Sequence, residues 1–446
     1  MSSVFHRQIH GHPETAEYGD GVFVITKQGK RYLDASSGGV AVSCLGHNNA
    51  EVIDAIERQL RKLPFFHGFV FTTDPLEELA EELVSNAPSE LTKAFFVSSG
   101  SEAVETAVLL ARQAAVERGD TKRRRIIARR NSYHGATING FAVGHNVVRR
   151  SPFLDMAVEM SHIAPCYEYR HRLPGESLKE YSLRAANELE TQILALGADE
   201  VLAFVAETVG GSASGAVPPV PGYFKRVREI CDKYGVTLIL DEVLCGLGRT
   251  GTLHAFSEEG IVPDLVALAK GLGAGYQPIG AVLVSSRIHE AIGAGSGMFR
   301  GGGTYTGHAS ACAAALTVQR IVRRDRLVEK VAVQGQRLQE LLKARFGNNP
   351  FVGDVRGRGF LQCIELVADQ PTKAPFEKTQ AISSRIRDEA MNLGLICFPG
   401  AGTVDGLVGD HIVLAPPFIT TPDQIEEMVD KLGKAVDSAL AHSCSM

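Results

Sequence analysis

A chain of 446 residues is too long for one ordinary hydrophobic core and suits two or three lobes. Its apolar fraction of 44% and charged fraction of 22% are those of a soluble globular protein, and a net charge of -5 offers no general attraction to nucleic acid or to an anionic membrane. A small molecule is the expected partner.

The eight cysteines (Cys44, Cys166, Cys231, Cys245, Cys312, Cys363, Cys397 and Cys444) are scattered and form no C-x-x-C pair, so neither a disulfide framework nor a metal site is expected. Met1 to Asp20 is polar and lacks the apolar stretch of a secretion signal, and no run reaches the roughly 18 apolar residues of a membrane span. The expected location is cytoplasmic.

Gly21 to Asp34 alternates Val22 and Val24 with polar neighbours, turns at Gln28-Gly29 and resumes at Tyr32-Leu33, which predicts a hairpin. A helix is predicted over Ala50–Lys62. Asp74-Pro75 supplies an N-cap and a first-turn proline to a segment whose Leu76, Leu79, Leu83 and Val84 repeat at helical spacing. From about Leu91 to Gln319, short strands at Ala94–Ser98, Arg125–Ala128, Val201–Ala206, Val236–Leu240, Leu265–Ala269 and Ala281–Val284 alternate with helical stretches. That is the pattern of a mostly parallel sheet covered on both faces. After Arg323 the composition turns to an α+β segment ending in a helix over Thr421–His442, with Ile425, Met428, Val429, Leu432 and Val436 as its apolar stripe. No internal repeat or low-complexity linker interrupts the chain.

Ligands of open α/β sheets collect beyond the carboxyl ends of the strands, so the residues that follow each strand are read together. Lys270 follows Val266-Ala267-Leu268-Ala269, and Asp241 follows Val236-Thr237-Leu238-Ile239-Leu240. A lysine and an aspartate at adjacent strand ends suit pyridoxal phosphate. The amine condenses with the cofactor aldehyde, and the carboxylate keeps the pyridine nitrogen protonated so that the ring accepts electrons from a substrate carbanion. Ser98-Ser99-Gly100-Ser101 opens a helix whose free backbone N–H groups suit a phosphate. Tyr133, in Tyr133-His134-Gly135, is placed to stack on a pyridine ring, and Glu207 is an acid at the mouth of the sheet.

Each of these has a plainer reading when taken alone: a serine cap, a half-buried loop aromatic, an exposed glutamate, a solvated lysine. One ligand accounts for all of them together. Leu240-Asp241-Glu242 also matches the acidic strand end of a nucleotide-binding ATPase, but the G-x-x-x-x-G-K-[ST] loop that cradles phosphates is absent, which disfavours that reading. Lys122-Arg123-Arg124-Arg125 reads as a solvated helix end rather than a nucleic-acid patch.

These residues resemble the class III aminotransferases among the fold-type I pyridoxal phosphate enzymes. The match runs from Gly29-Lys30-Arg31-Tyr32-Leu33-Asp34 to Ala415-Pro416-Pro417 and includes Leu240-Asp241-Glu242-Val243, Gly248-Arg249-Thr250-Gly251, Ala269-Lys270-Gly271 and Gly302-Gly303-Thr304-Tyr305-Thr306-Gly307-His308. The resemblance implies that Lys270 forms the internal aldimine and shuttles the proton, while Asp241 pairs with the pyridine nitrogen. Val243 and Tyr133 sandwich the ring, with His134 and Glu207 beside it. Ser99, Gly100 and Ser101 hold the phosphate, and Thr304 reaches the phosphate of the neighbouring subunit in a homodimer. Pairing of dimers into tetramers stays open.

The implied fold is a large domain with a mostly parallel seven-stranded sheet, spanning residues 61–325, and a small α+β domain built from residues 1–60 and 326–446. The implied chemistry is ping-pong transamination. Parts of the family carry arginines for a substrate carboxylate before the Ala-Pro-Pro motif and after the aromatic-x-Gly motif. Here those places hold His411-Ile412-Val413-Leu414 and Ala136, and the glutamine found three residues after the ring-binding aspartate is Leu244.

This pattern is closer to the ω-amine:pyruvate branch, whose members take an amine or ω-amino acid donor and a keto-acid acceptor. No arginine lies between Gly400 and Asp410, where a movable one is sought; Arg170, Arg300 and Arg356 are the remaining candidates, with a structural pairing the favoured role for Arg356. Phe65, Phe66 and Phe69, with Ser37-Gly38-Gly39-Val40, are candidates to line the substrate pocket, ordinary core packing being the equal alternative. Decarboxylation coupled to transamination, or amino-group migration, are alternatives on the same cofactor.

Overall fold

The computed structural model describes residues 3–11 and 13–441. Cys444 and the last expected helical residue, His442, lie outside them. The chain opens with strands β1 (Ala16–Asp20), β2 (Phe23–Thr26) and β3 (Arg31–Asp34), joined antiparallel. Gly29 makes the β2–β3 turn at φ 77°, a left-handed value that glycine adopts without steric cost. β1 extends the hairpin beyond its expected start; its side chains are almost all exposed, so it offers no apolar alternation to read. Helix α1 (Ala50–Lys62) begins at Asn49, whose side chain accepts from the Val52 N–H.

In helix α2 (Asp74–Ser85) the expected cap moves by one residue. Thr73 occupies the cap position without a side-chain bond, and Asp74 is the first helical residue, paired with Lys62 at 3.1 Å. A carboxylate favours both the cap and the first turn of a helix, which makes the sequence signal ambiguous by one position.

The central sheet contains β4 (Leu91–Val97), β5 (Arg125–Arg129), β6 (Ser161–Ile163), β7 (Val201–Glu207), β8 (Thr237–Asp241), β9 (Leu265–Leu268) and β10 (Gly280–Ser285), in the order β4-β10-β9-β8-β7-β5-β6. β10 runs antiparallel to both neighbours and the other pairings are parallel. β7 to β10 are buried along their whole length, as runs of aliphatic residues must be when both faces are covered. Helix α3 (Gly100–Glu117) and the helix Ser286–Ala294 pack on one face. The helices Leu178–Leu196 and Tyr223–Tyr234 pack on the other. At about 1.5–3 kcal/mol for each fully buried aliphatic or aromatic side chain, these two layers hold the strand ends in fixed relation. The unexpected strand β6 is a three-residue edge whose half-buried Ser161 and His162 carry no strand signature.

Lys122, Arg124 and Arg125 of the basic run are exposed as expected, and Arg123 alone departs. Arg123 is half-buried and donates to the carbonyls of Ala198, Val201 and Tyr234, while Lys122, Arg124 and Arg125 pair with Asp199 and Glu200. Carbonyls left free where strands begin supply the partners that draw the guanidinium in.

Beyond the sheet come β11 (Val352–Arg358), β12 (Leu361–Leu366), β13 (Leu395–Ile396), β14 (Phe398–Ala401) and β15 (Asp410–Leu414). Four of them form an antiparallel sheet in the order β11-β12-β15-β14. β13 instead pairs parallel with β3, setting Leu395 opposite Leu33. One core contains Val22, Leu33 and Leu45 from the start of the chain and Phe346, Ile386 and Leu432 from its end. The last helix spans Pro422–Ala441 and buries the five expected apolar residues, with the Thr421 hydroxyl accepting from the Gln424 N–H at 3.3 Å. Among the described residues no helix is long and apolar enough to cross a membrane.

Candidate active site

Parallel pairing places the ends of β7, β8 and β9 side by side, with Glu207 opposite Asp241 and Asp241 opposite Ala267. Lys270 follows β9 at φ 43°, a left-handed conformation that a lysine adopts only where its surroundings hold it there. These ends open into a cavity of about 460 Å³ lined by Ser99, Gly100, Ser101, Tyr133, His134, Glu207, Asp241, Val243 and Lys270. Nine of the ten site residues expected from sequence therefore converge. The tenth, Thr304, lies in an exposed loop outside this cavity of its own chain.

The Asp241 carboxylate is clamped on both oxygens: it accepts from His134 Nδ1 at 2.8 Å and from the Val243 N–H at 2.9 Å. His134 is buried and its Nε2 has no hydrogen-bond partner among the described residues. Histidine and aspartate lie far apart in sequence, so this contact carries no local signal; it makes His134 a positioning group for the carboxylate. Glu207 is buried, accepts from the Gly211 N–H at 3.0 Å, and takes a bond from Arg129 at its backbone carbonyl. Burial raises its pKa above the ordinary carboxylate value.

The Lys270 amine makes no hydrogen bond or ion pair with any described residue, and burial lowers its pKa against the opposing pull of Asp241 and Glu207. A lysine with a depressed pKa in a closed cleft is the form required of an amine nucleophile.

The first turn of α3 forms another wall. Ser99 caps it, its hydroxyl accepting from the Glu102 N–H at 3.2 Å, so the N–H groups of Gly100 and Ser101 have no intrahelical partner. A Cβ on Gly100 would stand 2.7 Å from Val243 Cγ1 and 3.3 Å from the Ala269 side chain, and one on Gly135 would stand 2.9 Å from Ser101 Cα. Only hydrogen at these positions lets the helix end, the Tyr133 loop and Val243 close around one space. Unpaired N–H groups, an unpaired amine and a clamped carboxylate around that space fit pyridoxal phosphate.

Glu242 turns away from the cavity. It accepts from Thr208 Oγ1 and from the Ala255 and Phe256 N–H groups, and burial pushes its pKa up to about 7. The acid that resembles a nucleotide hydrolase's is thus a structural pin.

Arg356 donates to Glu365 at 2.6 Å and to the carbonyls of Gly215 and Ser214, the structural role favoured for it. Arg170 donates to the same Glu365, and neither arginine lines the cavity. The Arg300 side chain is exposed outside it as well. His411 is buried between the Thr403 hydroxyl, 2.6 Å from Nδ1, and the Ser212 carbonyl, 3.2 Å from Nε2; burial lowers its pKa to about 3. It is a neutral core residue.

The candidate pocket residues Phe65, Phe66, Phe69 and Ser37 to Val40 do not line the cavity within one chain. Phe65 instead packs against Tyr305, and Ser37 Oγ donates to the Ala415 carbonyl. Val42, Val209, Ser212, Leu244 and Gln277 line it without having been marked by any motif, except that Leu244 stands at a position already singled out.

A seven-stranded sheet of this topology, with a free lysine and a clamped aspartate at adjacent strand ends, defines a fold-type I transferase that uses pyridoxal phosphate. Residues 6–436 match the family model for Aminotransferase class-III, and the chain belongs to that family of enzymes.

It is 44% identical to an uncharacterized aminotransferase of Schizosaccharomyces pombe over 98% of this chain and 95% of that protein. It is 36% identical to gamma aminobutyrate transaminase 2 of Solanum lycopersicum, over 95% of this chain and 91% of that one. The amine transaminase of an uncultivated Pseudomonas species, solved with pyridoxal phosphate bound, shares 34% identity at a TM-score of 0.92, covering 98% of this chain and 99% of that one.

Proposed function

We propose that this aminotransferase moves an amino group from an amine or ω-amino acid to a keto acid, with pyruvate as acceptor, in the two half-reactions of a ping-pong cycle. The observation that carries the reading is the unpartnered Lys270 amine in one cavity with the clamped Asp241 and the open first turn of α3. When bound, pyridoxal phosphate supplies an electron sink for the carbanion at the amine-bearing carbon.

The chain supplies the rest. Lys270 holds the cofactor and, once the substrate amine displaces it, moves the proton at that carbon. Asp241 accepts from the pyridine nitrogen, kept in line by His134 and the Val243 N–H. Val243 and Tyr133 cover the two faces of the ring, and Glu207 borders it. Ser99, Gly100 and Ser101 hold the phosphate through hydroxyl and backbone N–H groups, completed by Thr304 of the partner subunit.

The donor class follows from the wall of the cavity. Leu244 presents an apolar side chain there; outside the lining, Ala136 offers no charge and the buried His411 is neutral, so none of the three positions holds an arginine to grip the carboxylate of an ornithine-like donor. The homodimer is supported by the exposed apolar pair Phe65 and Tyr305, packed edge to face at 5.9 Å beside Thr304. The same reading divides the chain near residues 60 and 325 into a cofactor domain and a small domain made from both ends.

The test is a panel of arylalkylamines, ω-amino acids and ornithine against pyruvate, 2-oxoglutarate and glyoxylate. Turnover with amine or ω-amino donors and pyruvate is expected. Strict use of ornithine or glutamate overturns it.

A further inference from the structure

We propose that Arg149 grips the carboxylate of the keto-acid substrate, swinging off the Tyr133 ring into the cavity to do so. The inference rests on the transamination reading and names the charge which that reading lacks. A keto acid brings a carboxylate into a space bordered by Asp241 and Glu207, where Lys270 is the only cation and is committed to the cofactor. An enclosed carboxylate requires a cationic donor, preferably a planar two-pronged one.

Most guanidinium groups around the cavity are already occupied. Arg129 is buried, donates to the Glu207 carbonyl and lies by Phe224 on the far face of the sheet. Arg249 is buried and bonded to the carbonyls of Phe360 and Pro416. Arg170 and Arg356 share Glu365. Arg149 differs: it is half-exposed, and its guanidinium has no hydrogen bond or carboxylate partner among the described residues. It lies over the Tyr133 ring, with Cζ 4.7 Å from the centroid, and Tyr133 lines the cavity.

The backbone beneath it is held while the side chain is free. Arg149 sits on the short helix α5 (Val147–Arg150), chain-ordered after α4 (Ile138–Val143), and its N–H donates to Asn146 Oδ1 at 3.2 Å. α5 packs on the loop 402–409, the segment without an arginine. A Cβ on Gly406 would stand 2.6 Å from Val147 Cγ2, and Asn131 Nδ2 donates to the Thr403 carbonyl at 3.2 Å. The cation sought in that loop thus stands on the helix against which the loop is packed.

A hydrogen bond between two charged groups outweighs a cation–π contact at a half-exposed site. An arriving carboxylate therefore draws the guanidinium off the ring. A donor without a carboxylate leaves it parked on Tyr133, so one cavity takes an anionic acceptor and an uncharged donor chain in turn.

The test compares pyruvate with acetaldehyde, which lacks only the carboxylate, using holoenzyme and one good amine donor. Arg149→Gln is expected to raise the ratio of the pyruvate KM to the acetaldehyde KM about tenfold or more, and Arg149→Lys to restore part of it. The visible absorbance of the bound cofactor should stay unchanged. An equal rise in both KM values, or an altered spectrum, would show Arg149 acting through Tyr133 on the cofactor and overturn the proposal. So would a selective rise in Arg300→Gln with none in Arg149→Gln. A wild-type enzyme that turns over neither acceptor removes the pyruvate-acceptor reading on which the proposal rests, a result distinct from turnover that is indifferent to residue 149.

Discussion

At the scale of single residues, the site depends on groups that fix other groups. Without His134, whose Nδ1 takes one oxygen at 2.8 Å, Asp241 would keep only the Val243 N–H on the other oxygen. Loss of a partner that orients a working group usually costs about 10–100-fold. His134→Ala should lower kcat by about that factor, while borohydride reduction and peptide mapping still find the cofactor on Lys270. Lys270→Ala should retain cofactor without a reducible bond to the chain and show no turnover; substantial residual activity would refute its role.

His411 allows a pH prediction. Its folded pKa is lowered from 6.5 to about 3, so the unfolded chain binds the extra proton between those values and stability is lost as pH falls through that window. At pH 5 the loss is about 2 kcal/mol. His411→Gln should therefore narrow the difference in melting temperature between pH 7 and pH 5. Lys270 and Asp241 were legible because each ends an aliphatic run. The His134–Asp241 and Arg149–Tyr133 contacts were not, because no spacing rule links residues brought together by loops.

Among the elements, α3 and the strand ends carry the function. The strands whose residues are aliphatic throughout, β7 to β10, announce themselves in sequence because both of their faces are buried. β6, with three residues and a polar edge, does not. Gly100 stands where α3 meets Val243, and its missing side chain is what lets both approach the same ligand. Gly100→Ala would insert a methyl 2.7 Å from Val243 Cγ1. Overpacking of this kind typically costs about 1–3 kcal/mol. Affinity for pyridoxal phosphate, read from the visible absorbance on titration, should fall about tenfold or more. An unchanged affinity would show that Val243 gives way and that the contact does not shape the site.

For the whole molecule, completeness of the site and assembly are one question. Thr304 lies outside its own chain's cavity, and next to it the exposed Tyr305 packs on the exposed Phe65. Specific activity should fall on dilution in parallel with dissociation measured by sedimentation, and Thr304→Ala should weaken cofactor binding without changing the dimer. Activity that persists in a sedimenting monomer would refute the shared site. The family resemblance gave the overall architecture, yet the joining of the chain's ends through β3 and β13 has no local trace, since Leu395-Ile396 is only a two-residue strand.

That junction also bears on how the protein is made. β3 lies between β2 and β13, so until Leu395 leaves the ribosome the outer side of the N-terminal hairpin has no neighbour. At about 5–20 residues per second, the wait lasts roughly half a minute. Throughout translation the nascent polypeptide carries a bare β-edge, the kind of template on which chains aggregate, and fragments stopped short of residue 395 should precipitate or be captured by chaperones.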